Sequence, residues 1–535
     1  MKKNLLGIST LTLVGLYALL SVVVLGVCLI IDLPVLYGII FSIIVLILQF
    51  LLAPFFTDLT MKWFYKTDFN AEIPAYLKDF IQGVCDKEGF KYPKVGVIYD
   101  KAPNAFTYGR FKNDARLVIT QGILEILSED EVKSVVGHEL GHIVHMDMLF
   151  MTVAQLVPLI LYFLYTVLSD SDSNDKDGNY GQLIAIIAYV LYIISQYIIL
   201  WLSRTREYYA DQYSIETTKN PNSLASSLVK IGFGLSIGTE PVELENDKKN
   251  KNKKVHSAKD IGALGIFDSK TSKSLVVSTN NNINDKQSIK NAMKWEMWNP
   301  WAFIYELSST HPLISKRLLE ISKYSKNYNK EPYIIFDLKK EESYMDDFLL
   351  EVLIKYSPLV VVLITILLCL VNQNNIMMFI GIGGLITIAL SYVGFLRSHK
   401  SGYQKRTIRD LLGEVKVSGV TSIACELEGT VIGKGDPGCI FSEDFTLKDE
   451  TGIIFLDYNQ PMFILNKIFA LFKSHQYIDK TIKVKGWYRR SPVPYVEIYE
   501  MEIEGKKKKI FTYGLSKALY LILFIACIVV LISSF

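Results

Sequence analysis

Two of the seven histidines in this 535-residue chain bracket a glutamate, in His138-Glu139-Leu140-Gly141-His142. Residues four apart share one face of a helix, so both imidazoles point the same way. Two neutral imidazole nitrogens suit Zn²⁺, and Glu139, one position after the first histidine, can reach a water beside that ion and take its proton. The alternative is a pair of satisfied histidines on a buried helix. The scarcity of histidine and the intervening Glu139 argue against it. A catalytic zinc site also asks for a third protein ligand and a position left open for water. Arg206-Glu207-Tyr208-Tyr209-Ala210-Asp211 offers one. Glu207 and Asp211 stand at i and i+4, so Glu207 can ligate while Asp211 takes the far N–H of a ligand histidine. The plainer alternative is a solvated acidic face paired with Arg204 and Arg206.

Helices must position these groups. Ser128-Glu129-Asp130-Glu131 is a capping box that starts a helix ten residues before His138. Gly141 costs helix propensity and is expected to leave room beside the metal. Seven apolar runs, roughly 5–31, 33–55, 149–168, 183–202, 357–373, 376–396 and 513–534, are of the length that crosses a bilayer. The third and fourth form a hairpin that brings 138–147 and 204–211 to one membrane face. Lys2, Lys3, Lys62, Lys66, Arg204, Arg206, Arg397, Lys400 and Lys506–Lys509 all flank the spans on one side if these alternate. That side is therefore cytosolic. The reading is a multi-pass protein of the cell membrane with its N-terminus and catalytic site in the cytosol.

The expected domain order is two spans (1–55), the N-terminal half of a peptidase domain (56–148), a membrane hairpin (149–202), its C-terminal half (203–356), a second hairpin (357–396), a β-rich domain (397–510) and a last span (511–535). The fold class is mostly α, with a zincin-like α+β metallopeptidase domain and a C-terminal OB-like β-barrel. The barrel is read from about five strand-like stretches between residues 413 and 503, the first at 413–420. Trp487, Tyr488, Arg489 and Arg490 are either a binding patch or barrel wall, and 461–473 reads as a helix lying on the membrane. The stretch 243–256 is Lys-rich and polar, a mobile loop by composition. A net charge of +3 gives no argument for nucleic acid, and none is expected as a partner. The six cysteines form no CxxC pair, which disfavours a cysteine zinc site.

The run PNAFTYGRFKNDARLVITQGILEILSEDEVKSVVGHELGHIVHMDM and the blocks SRTREYYAD and THPLISKRL resemble the HtpX family of membrane metallopeptidases, with the CAAX prenyl proteases as more distant relatives. The resemblance covers about residues 1–325. It implies zinc ligands at His138, His142 and Glu207, a catalytic role for Glu139, and polar positions behind the ligands at Asp147 and Asp211. It also implies cleavage of membrane or misfolded proteins in quality control.

One zinc per chain and a peptide bond as substrate follow from the two readings together, with Glu139 as general base. The developing oxyanion needs another donor. His311, with Arg317 six residues on, is the best candidate, against a loop histidine that caps the next helix. Asn104, Ala105 and Phe106 are expected on an exposed strand beside the site, where an extended peptide can pair with the edge. Three functions stay open: a general endopeptidase for membrane proteins, a CAAX-like processing protease, and an inactive membrane scaffold working through its OB-like domain. The lipid bilayer and polypeptide substrates are the expected partners.

Overall fold

The computed structural model describes residues 12, 15, 16, 20, 23, 35–169, 176–237, 286–336, 340, 342–434, 444–461, 466, 469, 474–491 and 493–534. The stretch 243–256 lies outside them, as does the first expected span apart from five positions. In chain order, α1 (Val35–Phe64) and α2 (Ala75–Glu88) lead into β1 (Lys94–Ile98), β2 (Ala105–Gly109) and β3 (Ala115–Thr120). Then come α3 (Gln121–Ile126), α4 (Glu129–His145), α5 (Asp147–Ser169), α6 (Lys176–Thr218), α7 (Pro221–Ile237), α8 (Lys286–Trp298), α9 (Pro300–Leu307) and α10 (Ile314–Ser325). Helices α11 (Met345–Val371) and α12 (Ile376–Ser398) precede β4 (Gln404–Lys405), α13 (Ile408–Leu412), β5 (Ile423–Lys434), β6 (Phe445–Lys448), β7 (Ile453–Asp457), β8 (Thr481–Ser491), β9 (Val493–Ile503) and β10 (Lys506–Lys509); the last is α14 (Thr512–Ile532).

Five helices among the described residues are long and apolar enough to cross a membrane: Asp147–Thr166, Gly181–Thr218, Met345–Val371, Gln373–Ser398 and Thr512–Ile532. They coincide with the third to seventh expected spans, and the second falls on α1. The chain is a multi-pass membrane protein. Helix α6 runs unbroken for 43 residues, so the segment bearing Glu207 continues the fourth span.

The chain divides into two compact units. Of the described residues, the first holds those up to 235 and 306–335; the second holds 236–237, 286–305 and those from 336 on. The sequence assigned all of 203–356 to the peptidase half, whereas 286–305 and the described residues of 336–356 group here with the barrel. In the first unit a three-stranded sheet has the order β1-β3-β2, with β2 antiparallel at its edge. Side chains alternate along a strand. Phe106 and Tyr108 accordingly pack with Met61, Ile98 and Val118, which leaves Ala105 and Thr107 on the other face.

In the second unit β5 pairs with β6 and β8, β6 with β7, β7 in parallel with β9, and β9 with β8. That circuit closes a five-stranded barrel with OB-like topology. Trp487, Tyr488, Arg489 and Arg490 are all buried, so they are barrel wall and not a stacking surface. Within 461–473, Phe469 stacks on Tyr458 at 3.9 Å and is buried. This residue serves the barrel; most of that stretch lies outside the described residues.

Candidate metal centre

Helix α4 carries the two histidines. Its capping box is formed: Ser128 N–H donates to the Glu131 carboxylate at 2.8 Å. Glu129, Asp130 and Glu131 put negative charge on the first turn, where the helix dipole favours it. Glu131 also accepts from Ser226 at 2.6 Å and Lys230 at 2.8 Å, which ties α7 to the start of the site helix. Gly141 has a different use from the one expected. A Cβ there would meet Ala210 Cα and Tyr213 Cβ, each at 3.2 Å, so the glycine lets α6 press against α4. That approach sets Glu207 beside the histidines.

The helix ends at Met146 in the left-handed region, φ 57°. A side chain pays about 1–2 kcal/mol for that conformation. The reversal lets α5 begin at Asp147, whose Oδ2 lies 2.6 Å from His142 Nδ1. Asp211 Oδ1 lies 2.9 Å from His138 Nδ1. With both Nδ1 atoms so engaged, both Nε2 atoms face inward, 3.2 Å apart. Glu207 Oε2 is 3.4 Å from His138 Nε2, and Oε1 is 3.6 Å from His142 Nε2.

These spacings fit zinc. Three ligand atoms about 2.0–2.1 Å from one ion in a tetrahedral set stand about 3.4 Å from each other. The charges fit as well. Glu139, Asp147, Glu207 and Asp211 are carboxylates, set against the guanidinium groups of Arg206 and Arg317, and all six are buried. The surplus of two negative charges is what a divalent cation neutralises. Burial alone would lower the basicity of His138, but Asp211 and Glu207 outweigh it and raise the imidazole to about 9, so the cluster draws positive charge toward itself. His142, where burial prevails, is held below its ordinary value. Burial pushes the Glu139 carboxyl up, against the opposing pull of both histidines and a hydrogen bond from Thr107.

The surrounding side chains hold these groups. Arg206 pairs with Asp147 and lies over the Phe150 ring at 4.7 Å. Arg317 is fully buried: Nε and Nη2 donate to Asp211 at 2.9 and 2.6 Å, and Nη1 lies 3.4 Å from Glu207. Its three nitrogens therefore serve Asp211 and Glu207. His311 Nε2 is 3.6 Å from Glu207 Oε1, while Thr310 Oγ1 is 2.9 Å from its Nδ1. The next helix, α10, is capped at Leu313 without a side-chain bond, so His311 is not its cap.

Asn104, Ala105 and Phe106 differ from the exposed strand that was expected. Their side chains are 2%, 0% and 1% exposed, because this end of β2 is pressed into the core. The strand is nonetheless the sheet edge beside α4. Its Thr107 hydroxyl donates to Glu139 Oε2 at 3.1 Å. No motif marks Thr107 in the sequence, although alternation with Phe106 and Tyr108 places it on the helix-facing side. No motif marks Asp58 either; it receives Tyr108 and Arg116 from the hairpin.

Two histidines and one carboxylate thus meet on facing helices of a multi-pass membrane protein, a ligand set of the metallopeptidase type. Residues 73–325 match peptidase family M48. Over 192 residues the chain is 41% identical to "Protease HtpX homolog" of Methanothermobacter thermautotrophicus, an alignment spanning 36% of this chain and 71% of that one. The same-named protein of Archaeoglobus fulgidus is 32% identical over 36% of this chain and 56% of its own length. That of Aeropyrum pernix is 27% identical over 51% and 81%. The crystal structure of S. mikatae Ste24p overlaps 38% of this chain and 52% of its own, at 23% identity and a TM-score of 0.28, which carries no argument. The chain belongs to peptidase family M48, alongside the HtpX proteases. The family match ends at residue 325, short of the barrel.

Proposed function

We propose that the protein is a zinc-dependent endopeptidase of the membrane that cleaves peptide bonds in membrane or misfolded proteins at the cytosolic face. The observation that carries the reading is the convergence of His138, His142 and Glu207, whose ligand atoms all lie within 4.8 Å of one another. These three would hold one zinc per chain. When bound, zinc would polarise a water and the substrate carbonyl. Glu139, next to His138 and steadied by Thr107, takes the proton of the attacking water and returns it to the leaving amine. His311 supplies a hydrogen bond to the carbonyl oxygen as charge builds there. Arg317 does its work through Asp211 and Glu207, fixing the ligands and not the substrate. Asp147 and Asp211 orient His142 and His138, and their loss costs metal affinity. Substrate contacts along this edge run through the backbone of β2 at Ala105, since the side chains of Asn104, Ala105 and Phe106 are buried and the backbone N–H and C=O of Asn104 are taken by Thr120. An inactive scaffold would have no use for a buried Glu139 held by a hydroxyl.

Metal analysis of the purified chain is the test. One zinc per chain is expected, with loss of both metal and cleavage in His138→Ala and His142→Ala. Full zinc occupancy in His142→Ala would overturn the assignment.

A further inference from the structure

The β2–β3 hairpin lies along α1 and touches it twice. One residue pair before its turn, where Tyr108 faces Arg116, Tyr108 Oη donates to Asp58 Oδ1 at 2.8 Å, and Arg116 donates to both Asp58 oxygens at 3.1 and 2.9 Å. At its tip, the Phe111 ring meets the Phe50 ring edge-on, with centroids 5.0 Å apart. Asp58 and Phe50 are eight helical residues apart, about 12 Å along α1. Tyr108 and Phe111 are three residues apart, about 10 Å of extended chain. The hairpin therefore points down α1, from its first charged residue toward its apolar part.

That part of α1 is bare. Leu48, Leu51, Leu52, Phe55 and Phe56 are each about half exposed. A continuous apolar face of this kind is covered by lipid in a membrane protein. Phe111, itself 49% exposed, sits at the level of Phe50 within that band. Of the charges around the tip, Arg110 pairs with Asp114 at 2.6 Å and Arg116 with Asp114 and Asp58, while the long side chain of Lys112, next to Phe111, can carry its ammonium back to the headgroups. Such pairing is what a turn needs near a low-dielectric phase.

We infer that the β2–β3 turn is a membrane-dipping finger, with Phe111 seated in the acyl region of the leaflet on the site side. The β2 strand that rises from it, with Thr107 on Glu139, then opens at the bilayer surface. This rests on the peptidase reading for its consequence but not for its geometry.

Two measurements on the full chain in phosphatidylcholine vesicles test it. In Phe111→Trp, the added fluorescence relative to wild type is expected to be quenched by acyl chains brominated near their carboxyl end and shielded from aqueous iodide. Quenching by iodide with none by bromolipid would overturn the inference. In Phe111→Asp, cleavage of a membrane-anchored peptide should fall about tenfold or more, while the same peptide without its anchor is cleaved as by wild type. Equal loss on both substrates, or on neither, would overturn it. If no peptide is cleaved by wild type, the peptidase reading fails, and the bromolipid result still decides where Phe111 lies.

Discussion

Among the described residues, two clusters of buried arginines are paired differently. In the first unit, Arg317 spends all three guanidinium nitrogens on Asp211 and Glu207, and Arg206 pairs with Asp147. In the barrel, Arg490 lies over the Trp295 ring at 4.8 Å with the Glu296 carboxylate 4.0 Å away, and Arg489 reaches Glu497 at 2.6 Å. The first pair of arginines converges on the back of one small site. The second is strung along a strand that forms the barrel wall. Burial of charge alone thus marks nothing; convergence on shared ligand atoms does.

The largest expected effect removes the base and leaves the frame. Glu139→Gln should keep zinc and lose turnover by about 10²–10⁴-fold, and unchanged turnover in single-turnover assays would point to another base. Next is a matched pair. Arg317→Met strips two buried carboxylates of their partner and should cost about 3–5 kcal/mol, whereas Arg490→Met, whose nearest carboxylate stands 4.0 Å off, should cost less. Thermal unfolding of the two variants in one detergent decides; similar losses would erase the contrast. Asp211→Asn should weaken zinc binding by about 10–100-fold, read by competition with a chelating dye, and unaltered affinity would sever Asp211 from the metal.

The smallest effect is a pH dependence in the barrel. Burial pushes the Glu497 carboxyl up, but the hydrogen bond from His399 and the charge of Arg489 outweigh it and hold it below the ordinary 4.5. A carboxylate depressed on folding contributes stability above its unfolded value and loses it as pH falls through its folded one. Wild type should therefore lose barrel stability on acidification below about pH 4.5, and Glu497→Gln should flatten that slope. An identical slope in the variant would remove Glu497 from the account.

Local pattern carried much of this in the sequence. The spacing of His138 and His142, the cap at Ser128 and the long apolar runs are one-dimensional signals, because a helix repeats every 3.6 residues and a bilayer has a fixed thickness. The five strands of the barrel fall on four of the five strand-like stretches, legible through their period of two, whereas 413–420, read as a strand, forms none and 445–458 holds two. Tertiary structure decided the rest. The approach of α6 through Gly141 and the grip of Arg317 on Asp211 join residues far apart along the chain, and the left-handed turn at Met146 that returns Asp147 to His142 is a backbone choice its residue type does not announce. Burial was decided there too. Trp487 to Arg490 and Asn104 to Phe106 have the composition of surface contacts, yet each is covered, because exposure depends on what the rest of the chain lays against a strand.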